Sequence, residues 1–285
     1  MSRGAVVHVV RSLELGGLEN GVVNVVSGLH GNVEQVVVCL TRAGAFAARL
    51  PAGIRVIELG LADRDRLAAV RLARLFRSLR PRLVHSRNWP TIDAIPAARL
   101  AGVPVVVHGE HGREASDPEG RDRRRNRVRR LLAPLVDRFV AVSQDLAGWL
   151  ARDVRIPGRK IATILNGVDT ARFSPGDREA GRRALGVTDG SIVVGTVGRL
   201  DPVKDHGSLL AAFASLGPRR PDVVLAVVGD GPCRGDLERQ AMEAGLAARV
   251  RFLGARDDVP ALLRGMDVFV LPSIAEGISN TILEA

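Results

Sequence analysis

Short apolar runs alternate along this chain with longer segments in which apolar residues recur at helical spacing. Continuous apolar runs are typical of parallel strands buried on both faces, and a strand–helix alternation predicts an α/β fold with parallel sheets. The predicted strands are residues 6–10, 33–40, 54–59, 83–87, 103–107, 139–142, 161–169 with its turn, 192–197, 223–228, 250–254 and 268–273. The predicted helices include 19–29, 64–79, 144–152, 207–216, 237–244 and 258–264.

The first helix has an apolar face that we expect to be buried, formed by Val22, Val23, Val25, Val26 and Leu29. Proline, glycine and charge become denser around residues 173–190, which predicts a hinge. We therefore expect two Rossmann-like domains, residues 1–180 and 181–285, facing each other across a cleft. The second has the less complete strand–helix pattern.

Composition narrows the possible partners and location. The formal charge of +10 favours anionic partners, although only Lys160 and Lys204 of the 41 basic residues are lysine, so arginine abundance by itself carries little information. Aromatic residues make up 3%, too few for base-stacking platforms, which excludes a nucleic-acid-binding role. The widely separated Cys39 and Cys233, together with a start that lacks signal-peptide features and no apolar run of ~20 residues, predict a cytoplasmic protein without a transmembrane helix.

The first candidate site is the glycine turn Gly16-Gly17, between the first strand and its helix. Such a turn allows close approach of backbone to a ligand and commonly binds anions, but it is also common without any ligand. It does not match the dinucleotide pattern G-x-G-x-x-G, which argues against a nicotinamide cofactor.

Polar residues follow two neighbouring strands in the first domain. The carboxyl ends of parallel strands are where ligands bind, whereas a lone histidine is more often structural. The candidates are His85, Arg87, Asn88, His108, Glu110 and His111, of which His111, flanked by glycines, is the strongest.

The most basic segment runs from Arg121 to Arg130. One interpretation is a basic amphipathic helix that contacts anionic lipid at the inner face of the plasma membrane. The other is an ordinary solvated helix face in an arginine-rich chain.

In the second domain, Gly198, Arg199 and Lys204 follow the first strand. Positive charge there would stabilise a leaving diphosphate, although surface charge in a loop is the simpler alternative. The later Gly229 and Gly231 only begin a dinucleotide pattern, because Arg234 stands where the third glycine belongs.

The last ten residues combine a helix start with two carboxylates, Glu276 and Glu284. Ser279 or Asn280 can cap that helix, whose free amides suit a phosphate, while carboxylates accept hydrogen bonds from hydroxyls. A nucleotide-sugar offers both groups. An ordinary strand–helix connection with two surface glutamates is the alternative.

Taken together, these motifs resemble the GT-B glycosyltransferases of the large retaining family 4, and further resemble the sugar transferases found with bacterial exopolysaccharide clusters. The segments that carry the resemblance are Gly16-Gly17-Leu18-Glu19, Ser86-Arg87-Asn88-Trp89, His108-Gly109-Glu110-His111-Gly112, Asn166-Gly167-Val168-Asp169, Gly198-Arg199-Leu200 with Lys204, Gly229-Asp230-Gly231-Pro232, and Glu276-Gly277 with Glu284. Family members continue beyond this point, so the resemblance implies a C-terminally truncated chain with an incomplete second domain.

The resemblance implies a role for each matched residue. The second domain would bind a nucleoside-diphosphate sugar and the first a lipid-linked or saccharide acceptor, without a divalent metal or other cofactor. Catalytic roles would fall to His111, Arg199, Lys204 and Glu276. Donor binding would involve Gly16, Gly17, Gly198, Gly277, Ile278, Ser279, Asn280 and Glu284, and the acceptor side Arg87, Asn88 and His108. Two alternatives remain open, a sugar-nucleotide epimerase of the same fold and an inactive remnant that binds nucleotide or membrane only.

Overall fold

A computed structural model describes residues 4–14, 16–62, 65–113, 116–187, 190–216 and 219–285. The contacts divide the chain into two units, Met1–Asn166 and Gly167–Ala285. Residues 167–180, which the sequence assigned to the first domain, thus belong to the second unit. The boundary falls before the helix Arg178–Ala184 because this helix packs against the helix Val259–Arg264 of the second unit.

The first unit is an open parallel sheet with the strand order β3-β2-β1-β4-β5-β6-β7. Its described helices lie in the crossovers between strands, as parallel pairing requires. Its elements are β1 Val6–Val10, α1 Gly17–Gly28, β2 Gln35–Cys39, β3 Arg55–Glu58, α2 Ala68–Leu79, β4 Leu83–Arg87, α3 Ala94–Leu100, β5 Val105–Glu110, α4 Arg123–Leu132, β6 Arg138–Ala141, α5 Gln144–Arg152 and β7 Ile161–Thr163.

The second unit repeats this topology on a smaller scale, with the parallel order β10-β9-β8-β11. Alternate residues of β9 enter two separate cores, since Leu225 packs with Leu210 and Phe213, whereas Ala226 packs with Leu262. The elements are α6 Arg178–Ala184, β8 Ile192–Val197, α7 His206–Leu216, β9 Val223–Val228, α8 Arg234–Glu243, β10 Val250–Phe252, α9 Val259–Arg264, β11 Val268–Phe269 and α10 Asn280–Glu284.

Helix α1 shows how far the hydrophobic pattern predicts burial. Val22, Val23 and Val26 are buried as expected, and Val22 and Val26 join a core with residues of β1 and β2. Val25 and Leu29 are 45% and 39% exposed, so their predicted burial is wrong. The reason is geometric, because only part of the helix circumference faces the core. Five apolar positions that include neighbouring residues extend beyond that part.

Two strands differ from their predicted extent. β5 continues through His108 to Glu110, so these polar residues lie within the sheet instead of in a loop after it. β11 covers only Val268–Phe269, and Val268 is 49% exposed, so the expected long buried strand is wrong. β11 pairs only with β8 in the described sheet, and Pro272 has no N–H to extend the ladder. Within the described residues, none of the helices is both long and apolar enough to cross a bilayer.

Candidate functional site

Each sheet has a point where the strand order reverses, between β1 and β4 in the first unit and between β8 and β11 in the second. Ligands of open parallel sheets bind at the carboxyl ends of the strands at such a point. The residues singled out from the sequence follow, or terminate, β1, β4 and β5 in the first unit and β8 and β11 in the second. We describe the two positions separately.

The glycine turn after β1 is shaped by a neighbouring carboxylate. Gly16 precedes α1 with φ −177° and ψ 160°, an extended conformation open to any residue, so positive φ is not what requires glycine here. A Cβ on Gly16 would instead lie 2.2 Å from Oε2 of Glu19. Gly17 is the first residue of α1. Glycine at position 16 therefore makes room for the Glu19 side chain over the start of the helix.

On one face of the first sheet, the buried Arg87 links two histidines on adjacent strands. Its Nη2 donates to Nδ1 of His8 and to Nδ1 of His85, both at 3.2 Å. Because a guanidinium can only donate, both Nδ1 atoms are acceptors and each ring carries its proton on Nε2. His8 is then a donor from Nε2 to Oε1 of Gln35 at 3.1 Å, and Gln35 donates to the Val26 carbonyl at 2.9 Å.

Arg87 is 3% exposed, and in the described part of the chain no carboxylate lies within salt-bridge distance of it. Burial lowers the pKa of Arg87 to about 9. Burial and, second, the positive charge of Arg87 lower the pKa of His8 and of His111 to about 3 each. The same two causes lower the pKa of His85 well below its usual value. This face of the sheet therefore carries neutral imidazoles around one buried cation.

Asn88 holds His111 in place at the end of β5. The His111 backbone N–H donates to Oδ1 of Asn88 at 2.7 Å, and the Asn88 backbone N–H donates to the Gly109 carbonyl at 2.8 Å. Asn88 has φ 56°, a left-handed conformation that asparagine tolerates better than most residues. The turn after β4 is therefore tied to the end of β5.

The opposite face of the sheet carries a second buried network. Oγ of Ser86 lies 2.8 Å from Nδ1 of His108, whose Nε2 lies 3.4 Å from Oε1 of Glu110. Arg129 donates from Nε to the same Oε1 at 2.6 Å. Burial raises the pKa of Glu110, but Arg129 and His108 outweigh burial and hold that pKa at about 2. The order serine, histidine, acid resembles a hydrolase triad. Ser86, His108 and Glu110 are each 0% exposed, however, so a substrate cannot reach them in this arrangement.

Arg129 comes from the basic segment and is not part of a solvated face. It is 2% exposed, and its guanidinium carbon lies 5.1 Å from the Trp89 ring centre and 5.0 Å from that of Trp149. Trp149 in turn donates from Nε1 to the Gly120 carbonyl at 2.9 Å. Arg129 is therefore a buried arginine of this segment, while its exposed arginines include Arg121, Arg123, Arg124, Arg127 and Arg130.

In the second unit, two of the predicted catalytic residues form an ion pair. Nζ of Lys204, after β8, contacts Oε1 of Glu276, after β11, and their side chains are 24% and 25% exposed. The Ile274 N–H donates to the Val203 carbonyl at 2.9 Å, which joins the two loops by their backbones. Arg199, the third predicted residue here, pairs instead with Asp201.

The glycines of the second unit allow two loops to pack backbone against backbone. A Cβ on Gly229, which has φ 138°, would lie 1.9 Å from the Gly198 carbonyl oxygen. A Cβ on Gly231 would lie 2.6 Å from the Leu200 carbonyl oxygen. Gly198 itself has open space where a Cβ would stand. Gly229 and Gly231 thus fix the loops that precede Lys204 and follow β9.

The last helix, α10, begins after Gly277 and Ile278. Ser279 occupies its N-cap position and is 8% exposed, but no cap hydrogen bond forms from its side chain. Its Oγ pairs instead with Oγ1 of Thr281 at 2.9 Å, so Ser279 occupies the predicted N-cap position without the hydrogen bond of a cap. Glu284 ends α10 and lines a small cavity of about 200 Å³.

Sequence reasoning missed His8, Gln35 and Arg129. The available signal for His8 was its place inside an otherwise all-valine strand, paired in register with His85. Arg129 gave no signal, because it is one of seven arginines between Arg121 and Arg130. Among the described residues, no group of three or more His, Cys, Asp or Glu side chains is placed to hold a metal ion.

Solved structures with the same overall architecture define the class of fold. The chain matches the crystal structure of Anabaena Alr3699/HepE in complex with UDP and glucose with a TM-score of 0.81 and 24% identity, over 98% of this chain and 77% of that one. It matches WaaG, a glycosyltransferase involved in lipopolysaccharide biosynthesis, with a TM-score of 0.78 and 16% identity, over 98% and 78%. The fold is therefore GT-B, with two Rossmann-like units, as the sequence predicted.

The family follows from sequence. Residues 15–172 match the model of Glycosyltransferase Family 4, and residues 177–285 match that of Glycosyl transferases group 1. The chain belongs to this glycosyltransferase family, which confirms the resemblance drawn from its motifs.

Two curated relatives are similar to this chain over most of its length. Putative glycosyltransferase EpsF of Bacillus subtilis is 33% identical over 66% of this chain and 50% of its own length. The UDP-Gal:alpha-D-GlcNAc-diphosphoundecaprenol alpha-1,3-galactosyltransferase of Escherichia coli is 32% identical over 78% and 59%. The chain thus spans about half to three-fifths of the length of these two relatives.

Proposed function

We propose that this protein is a retaining glycosyltransferase that moves a sugar from a nucleoside-diphosphate donor to a lipid-linked or saccharide acceptor in bacterial exopolysaccharide or cell-surface glycan synthesis. The observation that carries the proposal is the Lys204–Glu276 pair at the strand-order reversal of the second sheet. Family membership and the UDP-bound HepE structure support a nucleotide-sugar as the donor.

The Lys204–Glu276 pair suits both halves of such a donor. The ammonium can turn to a diphosphate, whose negative charge grows as the glycosidic bond breaks. Glu276 then accepts hydrogen bonds from sugar hydroxyls. Arg199, held by Asp201 in this structure, adds a second positive charge. Transfer proceeds without a divalent metal, because Lys204 and Arg199 supply the neutralising charge, and the anomeric configuration is retained.

The remaining motif residues complete the proposed donor and acceptor sites. Donor contacts come from Gly16, Gly17 and Gly198, from the amides of residues 277–280, and from Glu284 at the ribose. His111 lies beside the reacting carbon. Asn88 shapes the acceptor side, and the buried Arg87 and His108 support it from within the sheet. The enzyme acts in the cytoplasm, at the inner face of the plasma membrane.

A transfer assay with purified protein tests the proposal. The protein is incubated with UDP-glucose or UDP-galactose and a diphosphoundecaprenol-linked GlcNAc, the acceptor named for the E. coli relative. We expect release of UDP, an extended lipid-linked saccharide with retained configuration by NMR, and full activity in EDTA. GDP-sugars and free saccharides extend the panel of substrates.

Two outcomes favour the alternatives. An isomerised nucleotide-sugar formed without acceptor would show an epimerase. Binding of a nucleotide-sugar without turnover would show that the chain only binds. Turnover that Glu276→Ala leaves unchanged would show that the assigned site is wrong.

Membrane contact is tested separately on the exposed arginines of the basic segment, which include Arg123, Arg124 and Arg127. We expect co-sedimentation with anionic vesicles that weakens with salt, since charges are screened over ~8–10 Å at physiological ionic strength. Equal binding to neutral vesicles, or binding indifferent to salt, would reject this contact.

A further inference from the structure

Two buried ring nitrogens in the first unit lack hydrogen-bond partners and approach the same point. Within the described residues, Nε2 of His85 and Nε2 of His111 are both buried and unpaired. A Cβ on Gly109 would lie 3.1 Å from the first and 2.8 Å from the second. The space beside the Gly109 Cα is therefore shared by the two ring nitrogens, on the sheet face that carries Arg87.

The hydrogen-bond network assigns the proton on one of these nitrogens. Arg87 donates to Nδ1 of His85, so that ring holds its proton on Nε2. His85 thus offers a buried donor without an acceptor, and His111 offers a neighbouring nitrogen without a donor. A buried polar group without a partner destabilises the folded state, so pairing both groups removes two such penalties at once.

We propose that Nε2–H of His85 donates to a single bridging water, which in turn donates to Nε2 of His111 and thereby fixes the proton of His111 on Nδ1. Arg87 and His85 are then positioning residues, which act through His111. Gly109 is the residue that keeps the space between the two rings open.

This assignment determines what His111 can offer a ligand. A neutral imidazole with its proton on Nδ1 donates one hydrogen bond from that atom, whereas the other tautomer would present an acceptor there. His111 is therefore preset to bind an acceptor oxygen, such as a sugar hydroxyl. Only this last step rests on the proposed function, because the tautomer exists without any substrate.

Long-range ¹H–¹⁵N NMR of the side chains distinguishes the tautomers of the six histidines. In the unsubstituted protein we expect His8 and His85 to carry the proton on Nε2 and His111 on Nδ1. His85→Leu removes the donor, and Gly109→Ala fills the shared space with a methyl group. Both variants should move the His111 proton toward Nε2, whereas His85→Gln, which can accept from Arg87 and donate onward, should preserve Nδ1–H.

Gly28→Ala is the matched control, because its Cβ would contact nothing within 4 Å and its φ is not positive. Folding of every variant is checked by tryptophan fluorescence, since Trp89 and Trp149 both lie in the first unit. An Nδ1-protonated His111 that persists in folded His85→Leu and Gly109→Ala would overturn the proposal. An Nε2-protonated His111 in the unsubstituted protein would also overturn it.

Kinetics separate this inference from the proposed function. If transfer occurs, His85→Leu should lower kcat/KM about tenfold, the effect of losing roughly one hydrogen bond, and His85→Gln should restore most of it. If no transfer occurs while the tautomers behave as expected, the proposed function fails, and the hydrogen-bond relay from Arg87 through His85 to His111 stands. Normal transfer with unchanged tautomers in His85→Leu would refute the relay alone.

Discussion

The strand-order reversals of the first and second sheets, at β1/β4 and β8/β11, carry different kinds of polar chemistry. In the first unit, neutral histidines surround one buried guanidinium, with Arg87 3% exposed. In the second unit, Lys204 and Glu276 form an ion pair whose side chains are about a quarter exposed. Solvent can therefore compete for the second arrangement far more readily than for the first.

This difference teaches how each position can respond to a ligand. A buried network changes only at the cost of unpaired polar groups, so its geometry is set before any ligand arrives. A partly exposed ion pair is worth little by itself, so an incoming anion can replace Glu276 on Lys204 at small cost. The first unit is therefore suited to orienting groups and the second to exchanging partners.

The largest expected effect comes from breaking the buried pair on the other face of the first sheet. Arg129→Leu leaves the Glu110 carboxylate buried without its main partner, which should lower the free energy of unfolding by about 3–5 kcal/mol. Urea denaturation, monitored by tryptophan fluorescence, measures this free energy of unfolding for the first unit. Arg127→Leu, the same change at an exposed position of the same helix, should stay within about 0.5 kcal/mol. Equal losses in the two variants would contradict the buried role of Arg129.

Next in size is the loss of a partly exposed charge that acts on a substrate. Under the proposed function, Lys204→Met should lower kcat by about 10²–10³, the usual cost of removing one group that stabilises developing charge. The first unit should unfold at the same urea concentration as before. Lys160→Met is the matched control for kcat, which it should leave unchanged. Lys160 lies in the first unit, where it donates to the Ala133 and Val136 carbonyls and takes no part in the proposed site. Unchanged kcat in Lys204→Met would remove this residue from the site.

The buried histidines should make the first unit sensitive to mild acid. They stay neutral in the folded state while the unfolded chain binds protons below about pH 6.5, so stability falls as pH falls toward 3. His8→Gln should reduce the slope between about pH 6 and pH 5 by up to ~1.4 kcal/mol per pH unit. Urea midpoints across this range give the slope, and His30→Gln, at an exposed position, should leave it unaltered. A His8→Gln slope equal to that of the original chain would show that His8 does not contribute.

The smallest effect is expected when the ion pair of the second unit is broken and only the stability of that unit is measured. Glu276→Gln should change the free energy of unfolding of the second unit by no more than ~1 kcal/mol, because partly exposed ion pairs contribute little. Circular dichroism during urea denaturation detects this unit, which contains no tryptophan. A loss of several kcal/mol would mean that the pair is structural and that the contrast between the two units fails.

Much of this architecture could be predicted from the apolar runs. Strands such as Val6–Val10, Ile192–Val197 and Val223–Val228 stand where the sequence placed them, because central parallel strands are largely apolar on both faces. The pattern fails where a strand is polar. β5 continues through His108 and Glu110, whose partners Ser86 and Arg129 are distant in sequence and so cannot be inferred from local composition.

The sequence allowed us to predict where the candidate site residues lie, but not which contacts they make. Strand ends located His111, Lys204 and Glu276, and the ion pair between the last two is a contact that no spacing rule could give. Arg87 illustrates the limit, because its place at a strand end predicts a residue available to a ligand, whereas the structure encloses it between His8 and His85. Burial depends on the packing of the crossover segments, which a single sequence does not specify.

The central place of β1 in its sheet has a consequence for synthesis of the chain. β1 pairs with β2 on one side and with β4 on the other, and β4 ends only at Arg87. A nascent chain therefore exposes one edge of Val6–Val10 until β4 has emerged, and an apolar strand edge invites association with other chains. His8 is the polar interruption in that edge. Before Arg87 arrives, His8 can hydrate and bind a proton, so we expect the unfinished chain to resist aggregation better in slightly acidic than in neutral solution, whereas the finished chain loses stability there.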